Sequence, residues 1–226
     1  MPRQLAFDLP VRPALGRDDF FVSPANALAL AALEAPGDWP AGKLVLIGPE
    51  GAGKSHLARV WASAEAAEVI AAHDLAARPA PPQARAVVVE DGDRIAGDLA
   101  AETALFHLHN LVLAEGGRLL ITARSAPGRW PMVLPDLASR LQAAATARLD
   151  PPDDALLAAV LAKLFADRQV AVPARLIPWL VARMDRSFAA ADVLVAALDA
   201  AALAQNRPIG LALARSVLDR PDSDGP

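Results

Sequence analysis

The chain contains no cysteine and no tyrosine. Without cysteine it has no disulfides and no thiolate metal sites, which fits a reducing, cytoplasmic setting. Aromatic residues make up only 4% of the sequence, so aliphatic side chains must supply the core. Lysine is scarce as well: Lys43, Lys54 and Lys163 are the only three among 22 basic residues. The formal net charge of −4 excludes a whole-chain basic footprint of the kind that binds DNA by counterion release, so contact with DNA is expected to be indirect. After Leu218 only eight residues remain, too few for a helix-turn-helix with a basic recognition helix. Long apolar runs are also missing. MPRQLAFDLPVRP lacks the continuous apolar stretch of a signal peptide, and Ala189 to Ala204 is interrupted by Asp192 and Asp199, so a soluble chain without a membrane span is expected.

What is present is an alternation of short apolar runs and helical spacings. The 226 residues suit one α/β domain and a small second one. Strands are expected at Lys43 to Ile47, Ala67 to Ala71, Ala86 to Val89, Arg118 to Thr122 and Ala144 to Leu149, with helices at Pro24 to Glu34, Ser55 to Ala64 and Glu102 to Ala114. This pattern predicts a five-stranded, mainly parallel sheet with helices on both faces. After Pro151-Pro152 the spacing becomes all helical: Asp153 to Arg168, Ala174 to Arg186, Ala189 to Gln205 and Gly210 to Leu218. Residues 1–15 read as an extended tail, 16–150 as a nucleotide-binding α/β domain, 151–220 as a helical lid and 221–226 as a disordered end.

The α/β part carries GPEGAGKS, Gly48 to Ser55, between the apolar run Leu44 to Ile47 and a helical segment. Glycines at 48, 51 and 53 let backbone N–H groups converge on phosphate oxygens at a helix N-terminus. Lys54 would neutralise the outer phosphates and the Ser55 hydroxyl would take one Mg²⁺ position. The plain alternative is a glycine-rich turn that binds nothing; strand, loop and helix in the required order argue against it. A second acidic motif follows about 35 residues later, where Val87-Val88-Val89 delivers Glu90 and Asp91 to the C-terminal end of a buried strand, the end at which ligands collect in open α/β sheets. His73, His107 and His109 form no metal-ligand spacing, and His107 with His109 are expected to border a helix face.

FFVSPANALALAAL (Phe20 to Leu33), GPEGAGKSHL, VVVED, LLITARSAP (Leu119 to Pro127) and LPDLASRL (Leu134 to Leu141) resemble, in order and spacing, the AAA+ module of the DnaA family. The resemblance is greatest to the regulatory members of the Hda type. It covers nearly the whole chain and stops where the initiators continue into a DNA-binding domain. The resemblance implies a P-loop AAA+ fold with a helical lid, and ADP or ATP with Mg²⁺ as cofactors. It places Phe20, Phe21, Val22 and Asn26 near the adenine, Gly48, Gly51, Ala52, Gly53, Lys54, Ser55 and His56 around the phosphates, Ser55 and Glu90 towards the metal, and Glu90 with Asp91 in the second acidic motif. Arg140 falls on the arginine finger, which works in trans on a neighbouring subunit's nucleotide. From the residues alone, Arg140 could equally be a surface cation paired with Asp136 one turn back.

Three positions depart from the family pattern. Glu90 stands where the initiators have aspartate; Thr122-Ala123-Arg124-Ser125 replaces T-x-D-R; and in Val193 to Ala201 the lid position that should carry an arginine is Ala197, with Arg183 and Arg186 as weak substitutes. Elements for hydrolysis in cis are altered while the trans element is kept. Gln4-Leu5-Ala6-Phe7-Asp8-Leu9 resembles the peptides that dock on the replicative sliding clamp, with Leu5, Phe7 and Leu9 as apolar anchors and Gln4 at the pocket rim. The expected function is regulatory inactivation of DnaA on the clamp, with weak intrinsic ATPase activity. A helicase-loader or DNA-remodelling ATPase is the main alternative, and a metabolic P-loop kinase a third. Self-association is left open.

Overall fold

The computed structural model describes residues 21–219. The tail residues Gln4, Leu5, Phe7 and Leu9, the neighbouring Phe20, and the segment 221–226 lie outside the described residues. The chain divides into two compact units between Pro151 and Pro152.

In the first unit, β1 (Lys43–Ile47), β2 (Glu68–Ala71), β3 (Ala86–Glu90), β4 (Arg118–Ala123) and β5 (Ala145–Arg148) form one sheet in the order β2-β3-β4-β1-β5, and every pairing is parallel. Helices α1 (Ala27–Glu34), α2 (Lys54–Glu65), α3 (Leu99–Ala114) and α4 (Pro135–Gln142) accompany it. Parallel strands covered on both faces must be apolar on both. The side-chain alternation shows this directly. Leu44, Leu46, Val88 and Leu120 pack with α1 and α2, while Val45, Val87, Val89, Leu119 and Ile121 pack with α3 and α4. On the first face Trp39 stacks on Trp61 with ring centroids 5.0 Å apart, and the Trp39 indole N–H donates to the Ala32 carbonyl at 2.7 Å.

The second unit holds α5 (Asp154–Asp167), α6 (Leu176–Val181), α7 (Phe188–Gln205) and α8 (Leu211–Leu218). Leu157, Leu161, Phe165, Leu176, Leu180, Val195, Leu198 and Leu213 build its own core. Asp153 and Ser187 cap α5 and α7, each accepting a backbone N–H of the first turn. By length and composition α7 is the one described helix that could cross a membrane. Its Ala191, Leu194, Val195 and Leu198 are buried in this core, and Asp192 pairs with Arg168, the residue after α5, at 3.1 Å.

Two element boundaries differ from the expected ones for identifiable reasons. α3 begins at Leu99 rather than Glu102 because the Asp98 carboxylate accepts from the Ala100 and Ala101 N–H groups and caps the helix there. α6 stops at Val181 rather than Arg186. Arg183 N–H turns back to the Leu180 carbonyl, and Ser187 must be extended, φ −146°, to cap α7. α4 is additional to the helices that spacing predicts.

Candidate functional site

β1 delivers the chain to Gly48, whose N–H donates to the Ala123 carbonyl of β4 at 3.2 Å. A Cβ at Gly48 would stand 2.6 Å from the Leu149 carbonyl oxygen, so the loop leaves the sheet pressed against the chain after β5. Gly51 and Gly53 have φ of 75° and 89°, the left-handed region that only glycine enters without strain. Gly53 caps α2, and no side chain caps the N–H groups of its first turn. Lys54 is 8% exposed and donates to the Gly48 and Pro49 carbonyls, both at 2.8 Å. Burial lowers its pKa, and the nearby Asp91 and Asp93 oppose that effect. Ser55 and His56 are exposed on the first turn of α2, Gly51 and Gly53 are half-buried, and Ala52 is buried.

The acidic strand end meets this loop. Glu90 accepts from Arg59 at 3.3 Å through Oε2, and its Oε1 is buried without a partner among the described residues. Asp91 is held at φ 58°, an uncommon conformation for a residue with a Cβ, while its N–H donates to Thr122 Oγ1 at 3.0 Å. Asp93, which the sequence reading passed over, accepts the Arg124 N–H at 3.1 Å through Oδ2. Its Oδ1 is buried and has no partner among the described residues. The turn after β3 thus brings a carboxylate to the end of β4. The Arg124 guanidinium pairs with Glu50 of the loop at 3.1 Å.

An uncapped helix start, two left-handed glycines, a buried ammonium and two orphaned carboxylate oxygens fit a Mg²⁺-bound nucleoside polyphosphate. The loop amides and Lys54 would hold the phosphates; Ser55 and Glu90 would face the metal. Val22 packs on the core beside α1. Asn26 is buried and accepts the Ser23 N–H while donating to the Phe21 carbonyl, both at 2.9 Å. It thus shapes the segment Phe21–Ser23.

Arg140 lies elsewhere on the same unit, exposed in the last turn of α4. Its guanidinium sits over the Phe106 ring of α3, 5.2 Å from the centroid. The pair with Asp136 that helical spacing allows does not form, and Arg140 makes no ion pair with any described carboxylate. The start of α4 is fixed by Glu102, which is fully buried. Its two carboxylate oxygens accept from Gly97 N–H at 2.8 Å, Val133 N–H at 3.0 and 3.1 Å and Leu134 N–H at 2.7 Å. One signal was available: Glu102 is the one acid within the mostly apolar stretch LAAETALFHL.

In the second unit Arg183 stacks on Trp179 at 4.4 Å and Arg186 pairs with Asp154. Both arginines already have partners within that unit. Ala197 is exposed on α7.

No family model matches the chain. Among solved structures it is similar to domain III of the replication initiation protein DnaA from Thermotoga maritima, with a TM-score of 0.79, 19% identity, and 92% of this chain and 97% of that one covered. AMPPCP-bound DnaA from Aquifex aeolicus gives a TM-score of 0.64 and 15% identity over 78% of this chain and 62% of that one. A single-residue variant of RuvB from Thermotoga maritima gives 0.65 and 18% over 86% and 67%. The chain has the AAA+ fold. It spans less than two thirds of the Aquifex initiator, and at these identities the likeness is one of architecture.

Proposed function

We propose that the chain is a nucleotide-binding regulator of replication initiation of the Hda type. It binds ADP or ATP with Mg²⁺ in the Gly48–Ser55 loop, turns it over slowly, and presents Arg140 to ATP held by the DnaA AAA+ domain. Gln4, Leu5, Phe7 and Leu9 dock it on the sliding clamp. A guanidinium at a γ-phosphate stabilises charge on the equatorial oxygens and is worth roughly 10³ to 10⁵ in rate.

The observation that carries this reading is the state of Arg140: exposed, braced on Phe106 and without a carboxylate partner. Of the elements that would serve hydrolysis in cis, Glu90 is engaged by Arg59, the acid of T-x-D-R is replaced by Arg124, which pairs with Glu50, and Ala197 offers no cation. The test compares ATP turnover by DnaA with and without this chain, clamp and DNA. Stimulation that disappears with Arg140→Ala supports the proposal; equal stimulation by the variant contradicts it.

One observation favours a second reading, an ATP-driven remodelling enzyme. The orphaned Oδ1 of Asp93 stands beside the loop, where a carboxylate could orient water. That reading requires ATPase activity of the chain alone, lost in Asp93→Asn.

A further inference from the structure

At the opposite end of β1 from the phosphate loop lies a cleft of about 530 Å³. Lys43, His109, Asn110, Arg118 and Arg140 supply its polar lining, and no aspartate or glutamate lines it. Small residues at 41, 42, 114, 116 and 117, with Leu113, complete its lining. Its size falls in the usual range for small-molecule sites, about 300 to 1,000 Å³.

The polar groups are ordered by one another. Lys43 opens β1 and is 6% exposed, and its Nζ lies 3.3 Å from His109 Nε2. An ammonium only donates, so Nε2 accepts and the His109 proton resides on Nδ1, which donates to Asn110 Oδ1 at 3.2 Å. Asn110 thus sets the tautomer of His109, and His109 aims Lys43. Arg118 is committed to carbonyls: its Nε donates to Pro36 at 2.8 Å. None of the three cations forms an ion pair with a described carboxylate, and with Arg118 held by carbonyls, Lys43 and Arg140 are the two left to meet an incoming anion. Burial and then Arg140 lower the Lys43 pKa, the cost of holding like charges together in a partly dry site. An anion bridging the two would relieve that cost.

Resting on the function proposed above, we infer that this cleft receives the polyphosphate of a nucleotide carried by another AAA+ subunit. Lys43 contacts phosphate beside Arg140, and the His109–Asn110 pair positions it. A guanidinium fork with an adjacent point-charge ammonium suits adjacent phosphate oxygens. The net charge of −4 disfavours a nucleic-acid backbone as occupant.

The binding test uses the full chain saturated with ADP, so that its own loop is filled, titrated calorimetrically with inorganic tripolyphosphate and separately with single-stranded DNA. One tripolyphosphate site is expected, weakened about tenfold or more by Lys43→Met and by Arg140→Ala. No binding to the wild-type chain, or displacement by the DNA at lower concentration, overturns the inference. In the DnaA turnover assay, Lys43→Met should lose most stimulation and Lys43→Arg should keep most of it, with ADP affinity unchanged in both. Full stimulation by Lys43→Met alongside loss in Arg140→Ala removes Lys43 from the site and leaves the function standing. Full stimulation by both variants removes the function as well.

Discussion

Replacing Glu102 with alanine withdraws a fully buried acceptor from three backbone N–H groups, those of Leu134, half-buried, and of Gly97 and Val133, both exposed residues. An orphaned buried donor costs about 1 to 3 kcal/mol, and water reaching the exposed Gly97 and Val133 and the space left by the side chain recovers part of that. The expected loss is about 4 kcal/mol for Glu102→Ala, and about 2 kcal/mol for Glu102→Gln, which keeps one acceptor oxygen. Urea unfolding followed by tryptophan fluorescence measures it, because Trp39, Trp61 and Trp130 are all buried in this unit. The consequence extends beyond stability. Val133 and Leu134 lead directly into α4, so the variant also frees the helix that carries Arg140. At temperatures where Glu102→Ala remains folded, stimulation of a partner's ATP turnover should fall with little change in the chain's own ADP affinity. A change below about 1 kcal/mol in Glu102→Ala would show that these bonds do not hold α4, and would refute the reasoning.

Lys54→Met should weaken ADP binding by roughly 30-fold or more, as expected for a charge-assisted phosphate contact, and fluorescence titration with a labelled nucleotide reads this. The His109 pKa lies below its ordinary value, chiefly through burial and further through Lys43 and Arg140, with the Asn110 hydrogen bond opposing. The unfolded chain therefore takes up the proton first: stability is complete above the unfolded pKa near 6.5 and declines as pH falls towards the depressed folded value. Unfolding midpoints from pH 7.5 to 5 should show this decline in the wild type and a smaller one in His109→Gln. Identical slopes would exclude His109 as its source.

The parts of the fold legible in the sequence are those encoded locally. Lys43–Ile47 is a strand in both readings because an unbroken apolar run ends in a glycine loop. The order of strands and helices likewise follows from periodicity. The Arg140 environment was not legible, because it depends on residues far apart in the chain: Glu102 reaches Val133 and Lys43 reaches His109; at the phosphate loop, Asp93 likewise reaches Arg124. α4 illustrates the reason. It spans eight residues, too few to be stable alone, and its position is fixed from outside by a carboxylate on α3. His109, expected at the border of a helix face, instead lies buried against β1.

The most direct measurement of the central claim is the rate of ATP hydrolysis by DnaA in the presence of clamp, DNA and either the wild-type chain or Arg140→Ala, both saturated with ADP. The account predicts stimulation by the wild type and a fall of at least about 10³-fold in the stimulated component with the variant, while clamp association and ADP affinity stay unchanged. Equal stimulation by the two proteins, or ATP turnover that this chain sustains alone at a comparable rate, would contradict it.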